Sequence, residues 1–132
     1  LFNGDLAVKD LPSAWDSMFK SWFGVDVPND RLGCLQDIHW SMGAFGYFPT
    51  YTLGNLYAAQ LLESMADELG DIDQIVESGD WSSLLQWLGP KIHLQGSKMT
   101  PAELIESATG SAPSPEPFLR YVESKYSRLY GL

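Results

Sequence analysis

Apolar residues return every three or four positions along most of this 132-residue chain, and nowhere do they alternate convincingly with period two. That spacing stacks side chains on one face of a helix, whereas a half-buried strand needs apolar and polar residues in turn. Trp15, Met18, Phe19, Trp22 and Phe23 trace one wide aromatic face. Tyr51, Leu53, Leu56, Tyr57, Gln60, Leu61, Met65 and Leu69 trace a second, longer run. Trp81, Leu84, Leu85, Trp87 and Leu88 mark a third, and Phe118, Leu119, Tyr121, Val122, Tyr126, Leu129 and Tyr130 a last one. The chain is therefore predicted to be all-α, with about six helices.

The residues between these runs say where helices start and stop. Asp10 before Leu11-Pro12 is an expected N-cap, and Gly24 an expected stop. Pro49 suits the first position of the second helix, which Gly70 ends. Asp71 caps a short helix closed by Ser78-Gly79. Asp80 caps the next, which should stop near Gly89-Pro90, with residues 91–97 irregular or a helical extension. Thr100-Pro101-Ala102-Glu103 has the form of a capping box, and its helix should end at Gly110. Residues 111–117 read as a turn. The opening Leu1-Phe2-Asn3-Gly4-Asp5 reads like the tail of a helix already under way, an expectation that residues upstream have been left out.

A chain of this length fits one domain, residues 1–132, with a core rich in large rings: 13% of residues are aromatic. The formal charge of −9 argues against a nucleic-acid partner and against anionic membrane surfaces, both of which call for a basic face. No apolar run approaches the roughly 20 residues of a membrane span, and no signal-peptide pattern is present. Cys34 is the only cysteine, so no internal disulfide can form. It reads as a small buried hydrophobe in a chain compatible with a reducing cytoplasm.

Residues 33–55 carry the chemistry. Gln36, Asp37, His39, Tyr47 and Tyr51 crowd together there among aromatic and glycine residues. Residues 32–48 lack a sustained period and read as short helical turns and loop, and Gly43, Gly46 and Gly54 would permit close backbone approach or positive φ, or simply serve loop geometry. A carboxylate two residues before a histidine can orient its imidazole or raise its basicity, Gln36 can bridge to backbone or substrate, and Trp40 can exclude water. Such a histidine could donate to a developing oxyanion, but it could equally be a satisfied structural group. Tyr47 and Tyr51, four apart around Pro49, could present two hydroxyls to the same place, or could be core residues. The other histidine, His93, reads as a helix-terminus or packing residue. With two histidines about fifty residues apart, no His-Glu-x-x-His, no phosphate loop and no nucleophile elbow, the chain has no metal site or hydrolytic centre of its own.

Gly33-x-x-Gln36-Asp37-x-His39-Trp40 resembles the GxxQDxHW signature of the carboxypeptidase Taq family of metallocarboxypeptidases. The run from Gly46-Tyr47-Phe48-Pro49-Thr50-Tyr51 through Gly54-Asn55-Leu56-Tyr57-Ala58-Ala59-Gln60 is similar to the stretch downstream of that signature in the same family. Ile92-His93, Thr100-Pro101-Ala102-Glu103-Leu104 and the final helix are similar to its end. The resemblance covers essentially the whole chain. It implies the C-terminal part of a larger helical, groove-shaped enzyme, typically a homodimer, that removes single residues from peptide C-termini. The implied cofactor is a divalent metal, zinc or cobalt, whose ligands lie in the missing N-terminal part of the same protein. This chain would bind none and be inactive alone. By the same resemblance His39 stabilises the oxyanion with Asp37 orienting it, and Tyr51 or Tyr47 supplies a phenolic donor, with Tyr51 the first choice. Gln36 and Trp40 then support and wall the site. The alternative is a non-catalytic helical interaction domain on the same scaffold.

Overall fold

A computed structural model describes all residues, Leu1–Leu132. Every regular element is helical: six α-helices and three single 3-10 turns, as the apolar periodicity requires. The helices fall into two compact units, Leu1–Phe48 and Pro49–Leu132, each described by itself.

The first unit holds α1 (Leu11–Phe23) and a turn-rich segment. α1 ends where Gly24 turns left-handed (φ 69°) and donates its N–H to the Lys20 carbonyl. Asp10 occupies the N-cap position but its side chain caps nothing; the Ser13 hydroxyl instead donates to the Asp10 carbonyl. The aromatic stripe is only partly covered. Trp15 and Phe19 are half-buried, Trp22 and Phe23 are exposed, and together with Leu6, Leu11, Ala14 and Met18 they line an apolar cavity of about 320 Å³. Beyond α1 the chain makes a 3-10 turn over Asp30–Leu32, which the Asn29 side chain caps by accepting from Leu32 N–H. Gly33 and Cys34 come next, both buried, so Cys34 is the small interior thiol expected.

The second unit is organised around α2 (Pro49–Leu69), which packs against α6 (Glu116–Tyr130) and α5 (Pro101–Thr109), and also meets α3 (Ile72–Ser78) and α4 (Trp81–Lys91). Met65, Trp87, Ile105 and Ala108 form its buried apolar core. The one buried polar side chain, Gln60, works as a staple. Its amide nitrogen faces Thr109 Oγ1 (3.0 Å), the Ser111 carbonyl (3.0 Å) and the Ala112 carbonyl (3.2 Å), while its carbonyl accepts from Ser114 N–H (3.0 Å). The α5–α6 connection is thereby fixed to the middle of α2, and the buried amide is satisfied, as burial demands.

Charged side chains clamp the same unit from outside. Arg120 grips Glu63 bidentately (Nε–Oε1 2.9 Å, Nη2–Oε2 2.7 Å), which holds the Glu63 carboxyl below its ordinary range. Lys91 pairs with Glu68, lies over the Trp87 ring 4.6 Å from its centroid, and reaches the Ala108 carbonyl, so one side chain ties α4 to α2 and α5.

Most boundaries match the capping signals. Asp71 caps α3 by accepting from Gln74 N–H, the Thr100–Glu103 capping box is complete, and Gly79 and Gly110 close their helices at positive φ. Two differ. α4 does not stop at Gly89-Pro90 but runs to Lys91, with Pro90 inside it. A proline ring crowds both the carbonyl four residues back and the Cβ of the preceding residue, and Gly89 removes the second of these clashes. Pro90 lies one residue before the helix ends at Lys91, the bond it forgoes is to the carbonyl of the solvent-exposed Gln86, and the Gln95 side chain donates to the Pro90 carbonyl (2.7 Å). α6 begins at Glu116, two residues before the expected Phe118, because Pro117 fits the first helical turn, where a missing N–H costs nothing.

Candidate active-site segment

Residues 33–48 form no long helix, and the segment is held by local bonds. Gly33 is pinned first. A Cβ on it would lie 2.8 Å from Val27 Cγ1 and 3.3 Å from Asp16 Oδ1, so only glycine lets the chain pass there without displacing a neighbour. Its carbonyl accepts from Gln36 N–H (3.1 Å), and Asp30 O accepts from Leu35 N–H (2.9 Å), which starts the loop in a defined direction.

His39 is then fixed at three points. Its backbone N–H donates to Asp37 Oδ1 (3.1 Å), its ring Nδ1 contacts the same oxygen, and its carbonyl accepts from Ala44 N–H (2.8 Å). The hydrogen bond from His39 holds the Asp37 carboxyl below the ordinary aspartate range. An ionised Asp37 only accepts, so Nδ1 carries a hydrogen. Both side chains are partly buried, at 16% exposure for His39 and 25% for Asp37. Turns closed by Met42 N–H to Ile38 O and Gly43 N–H to Trp40 O, with Gly43 and Gly46 at positive φ, fold the chain back on itself.

The return brings Tyr47 and Phe48 onto the imidazole. The Tyr47 ring stacks on His39, with centroids 5.5 Å apart and planes 17° from parallel, and Phe48 meets it edge-on at 5.4 Å and 84°. Trp40 turns elsewhere, stacking on Phe45 at 6.2 Å, and Phe45 meets Phe2 edge-on at 5.4 Å.

Of the residues that the sequence marks as candidates, Asp37, His39 and Tyr47 thus come together in the first unit. Gln36 is exposed in the same loop, and Trp40 joins a neighbouring ring cluster. Tyr51 lies in the first turn of α2, in the second unit. Phe48 and Phe45 are not among those candidates, and the density of rings in residues 40–48 is the signal that could mark them. No group of three or more His, Cys, Asp and Glu side chains is disposed to hold a metal ion, so the residues present do not fit a metal centre. No helix is long and apolar enough to cross a membrane.

Residues 1–126 match the family described as Carboxypeptidase Taq (M32) metallopeptidase. The chain is 47% identical over 131 residues to thermostable carboxypeptidase 1 of Thermus thermophilus, and 39% identical over 132 residues to carboxypeptidase 1 of Bacillus subtilis. These alignments take in 99% and 100% of this chain but 26% of each relative, so the chain spans about a quarter of their length. The crystal structure of the M32 carboxypeptidase from Deinococcus radiodurans R1 superposes with a TM-score of 0.93 at 38% identity, over 98% of this chain and 26% of that one. The metallocarboxypeptidase 1 of Trypanosoma cruzi does so at 0.89 and 41%, over 94% of this chain and 26% of that one. Both match through their C-terminal portion. The chain belongs to the carboxypeptidase Taq (M32) metallopeptidase family.

Proposed function

We propose that this chain is the C-terminal region of a metal-dependent carboxypeptidase that releases single residues from peptide C-termini, and that His39 is its principal contribution to the chemistry. The observation that carries this reading is the Asp37–His39 pair, built into a segment that the family match covers. Peptide hydrolysis passes through a tetrahedral carbon bearing an oxyanion, and a donor aimed at that oxygen acts mainly on the transition state. With Nδ1 turned to Asp37, Nε2 is the ring nitrogen that would meet the substrate. Donation from Nε2 to the oxyanion, while Nδ1 donates to Asp37, uses both ring nitrogens as donors.

Tyr51 supplies a second hydroxyl to the substrate or its oxyanion from the start of α2. Gln36 and Trp40 border the same loop, and their roles are support and exclusion of water. The divalent metal of the reaction, zinc or cobalt, is held by residues outside this chain, since the residues present do not fit it. The chain alone is therefore inactive.

The test is a chimera in which this chain replaces the matching quarter of the Thermus thermophilus carboxypeptidase, assayed on a blocked dipeptide with a free C-terminal carboxylate. The chimera is expected to hydrolyse it, and His39→Ala to lower kcat/KM about a hundredfold or more. A folded but inactive chimera would favour a non-catalytic helical domain on the same scaffold.

A further inference from the structure

The imidazole of His39 turns about its Cβ–Cγ bond, and the Asp37 hydrogen bond restrains that turn at Nδ1. A single hydrogen bond is a soft restraint, and any residual turn of the ring displaces Nε2. A donor that must meet a developing charge within about 0.5 Å of one position needs that turn suppressed. Contacts against the face of the ring and against its perimeter oppose such a turn. The structure has both, from adjacent residues: Tyr47 stacks 17° from parallel, and Phe48 stands at 84°.

We infer that Tyr47 and Phe48 are positioning residues that clamp the His39 imidazole, Tyr47 through the face of its ring. The clamp is set by the backbone. Gly43 and Gly46 at positive φ, and Tyr47 N–H facing the Ala44 carbonyl (3.4 Å), return the chain over the turn that carries His39. Asp37, His39, Tyr47 and Phe48 thus form one locally assembled unit in which a carboxylate holds Nδ1 and two rings brace the imidazole. This rests on the reading that His39 acts in catalysis. It also separates the two tyrosines: the part of Tyr47 that matters is the ring, which phenylalanine retains, whereas the part of Tyr51 that matters is its hydroxyl.

The experiment has two readouts. In the full chain with labelled histidine, the ring-carbon protons of His39 are expected to carry an aromatic ring-current shift. Tyr47→Phe preserves that shift, and Tyr47→Leu and Phe48→Leu reduce it. In the chimeric carboxypeptidase, Tyr47→Phe should stay within about twofold of the parent, while Tyr47→Leu and Phe48→Leu lower kcat about ten- to a hundredfold with KM little changed. Circular dichroism on each variant confirms folding, and the recovery in Tyr47→Phe separates loss of the clamp from loss of the fold. Full activity in Tyr47→Leu and Phe48→Leu, in an enzyme that His39→Ala disables, overturns the clamp and leaves the role of His39 standing. Tyr47→Phe as damaging as Tyr47→Leu overturns it too, because the hydroxyl would then be the working group. If His39→Ala is itself harmless, the underlying reading fails instead.

Discussion

The carboxylate of Asp37 accepts from both the backbone N–H and the ring Nδ1 of His39, so one side chain fixes the residue's backbone and its imidazole together. The arrangement is possible because the two lie two residues apart in a turn, where an aspartate naturally reaches forward to a main-chain N–H.

The pair has a pH signature. Because the folded-state pKa of Asp37 is lowered, its contribution to stability is present above the ordinary aspartate pKa of about 4 and is lost as pH falls through the folded value. Asp37→Asn should therefore be less stable than the parent at neutral pH, and the gap should close as the solution is acidified. Chemical unfolding at several pH values checks this. A gap that is constant with pH would mean that the carboxylate charge contributes nothing.

Gly33 is the first fixed residue of the motif and packs against α1 through Asp16 and against Val27. Gly33→Ala places a Cβ against the stiff, branched Val27 side chain and should destabilise the first unit by about 1–3 kcal/mol. Hydrogen exchange of amides in residues 30–44 reports it locally, and unchanged protection would contradict the close contact.

Gln60 is buried and serves the α5–α6 connection with both ends of its amide. Gln60→Ala leaves the Ser111 and Ala112 carbonyls and the Ser114 N–H without their partner, at a cost of about 2–3 kcal/mol in urea unfolding. Gln60→Glu should be worse at neutral pH, since a carboxylate would then face those carbonyl oxygens.

Thr100 accepts from Glu103 N–H while the Glu103 side chain accepts from Thr100 N–H. Thr100→Ala should cost about 1 kcal/mol, readable as a lowered thermal midpoint. No change would mean that water replaces the cap fully.

Local features are the ones legible in the sequence. Helix starts at Pro49 and Thr100 and stops at Gly24, Gly79 and Gly110 depend on groups within a few residues, and they stand where the residue types place them. Asp37 and His39 are equally local, and their pairing accords with their spacing. The persistence of α4 through Pro90 is not legible in the same way, because the usual expectation for proline ignores that Gly89 lacks the clashing Cβ. Nor are the Gln60 staple and the Phe48 contact with His39. Both depend on where a turn or a neighbouring helix brings the chain back, and a phenylalanine in an aromatic-rich segment looks like any other core residue. The ring spacing of α1 suggests a buried face, yet Trp22 and Phe23 are largely exposed, since periodicity marks a face without saying what covers it.

The central claim is that His39 donates to the oxyanion of peptide hydrolysis, and the most direct measurement is kcat/KM of the chimeric carboxypeptidase with and without His39→Ala. A loss of about a hundredfold or more, with the fold intact by circular dichroism, is the predicted result. An unchanged kcat/KM would contradict the account and return His39 to a purely structural role.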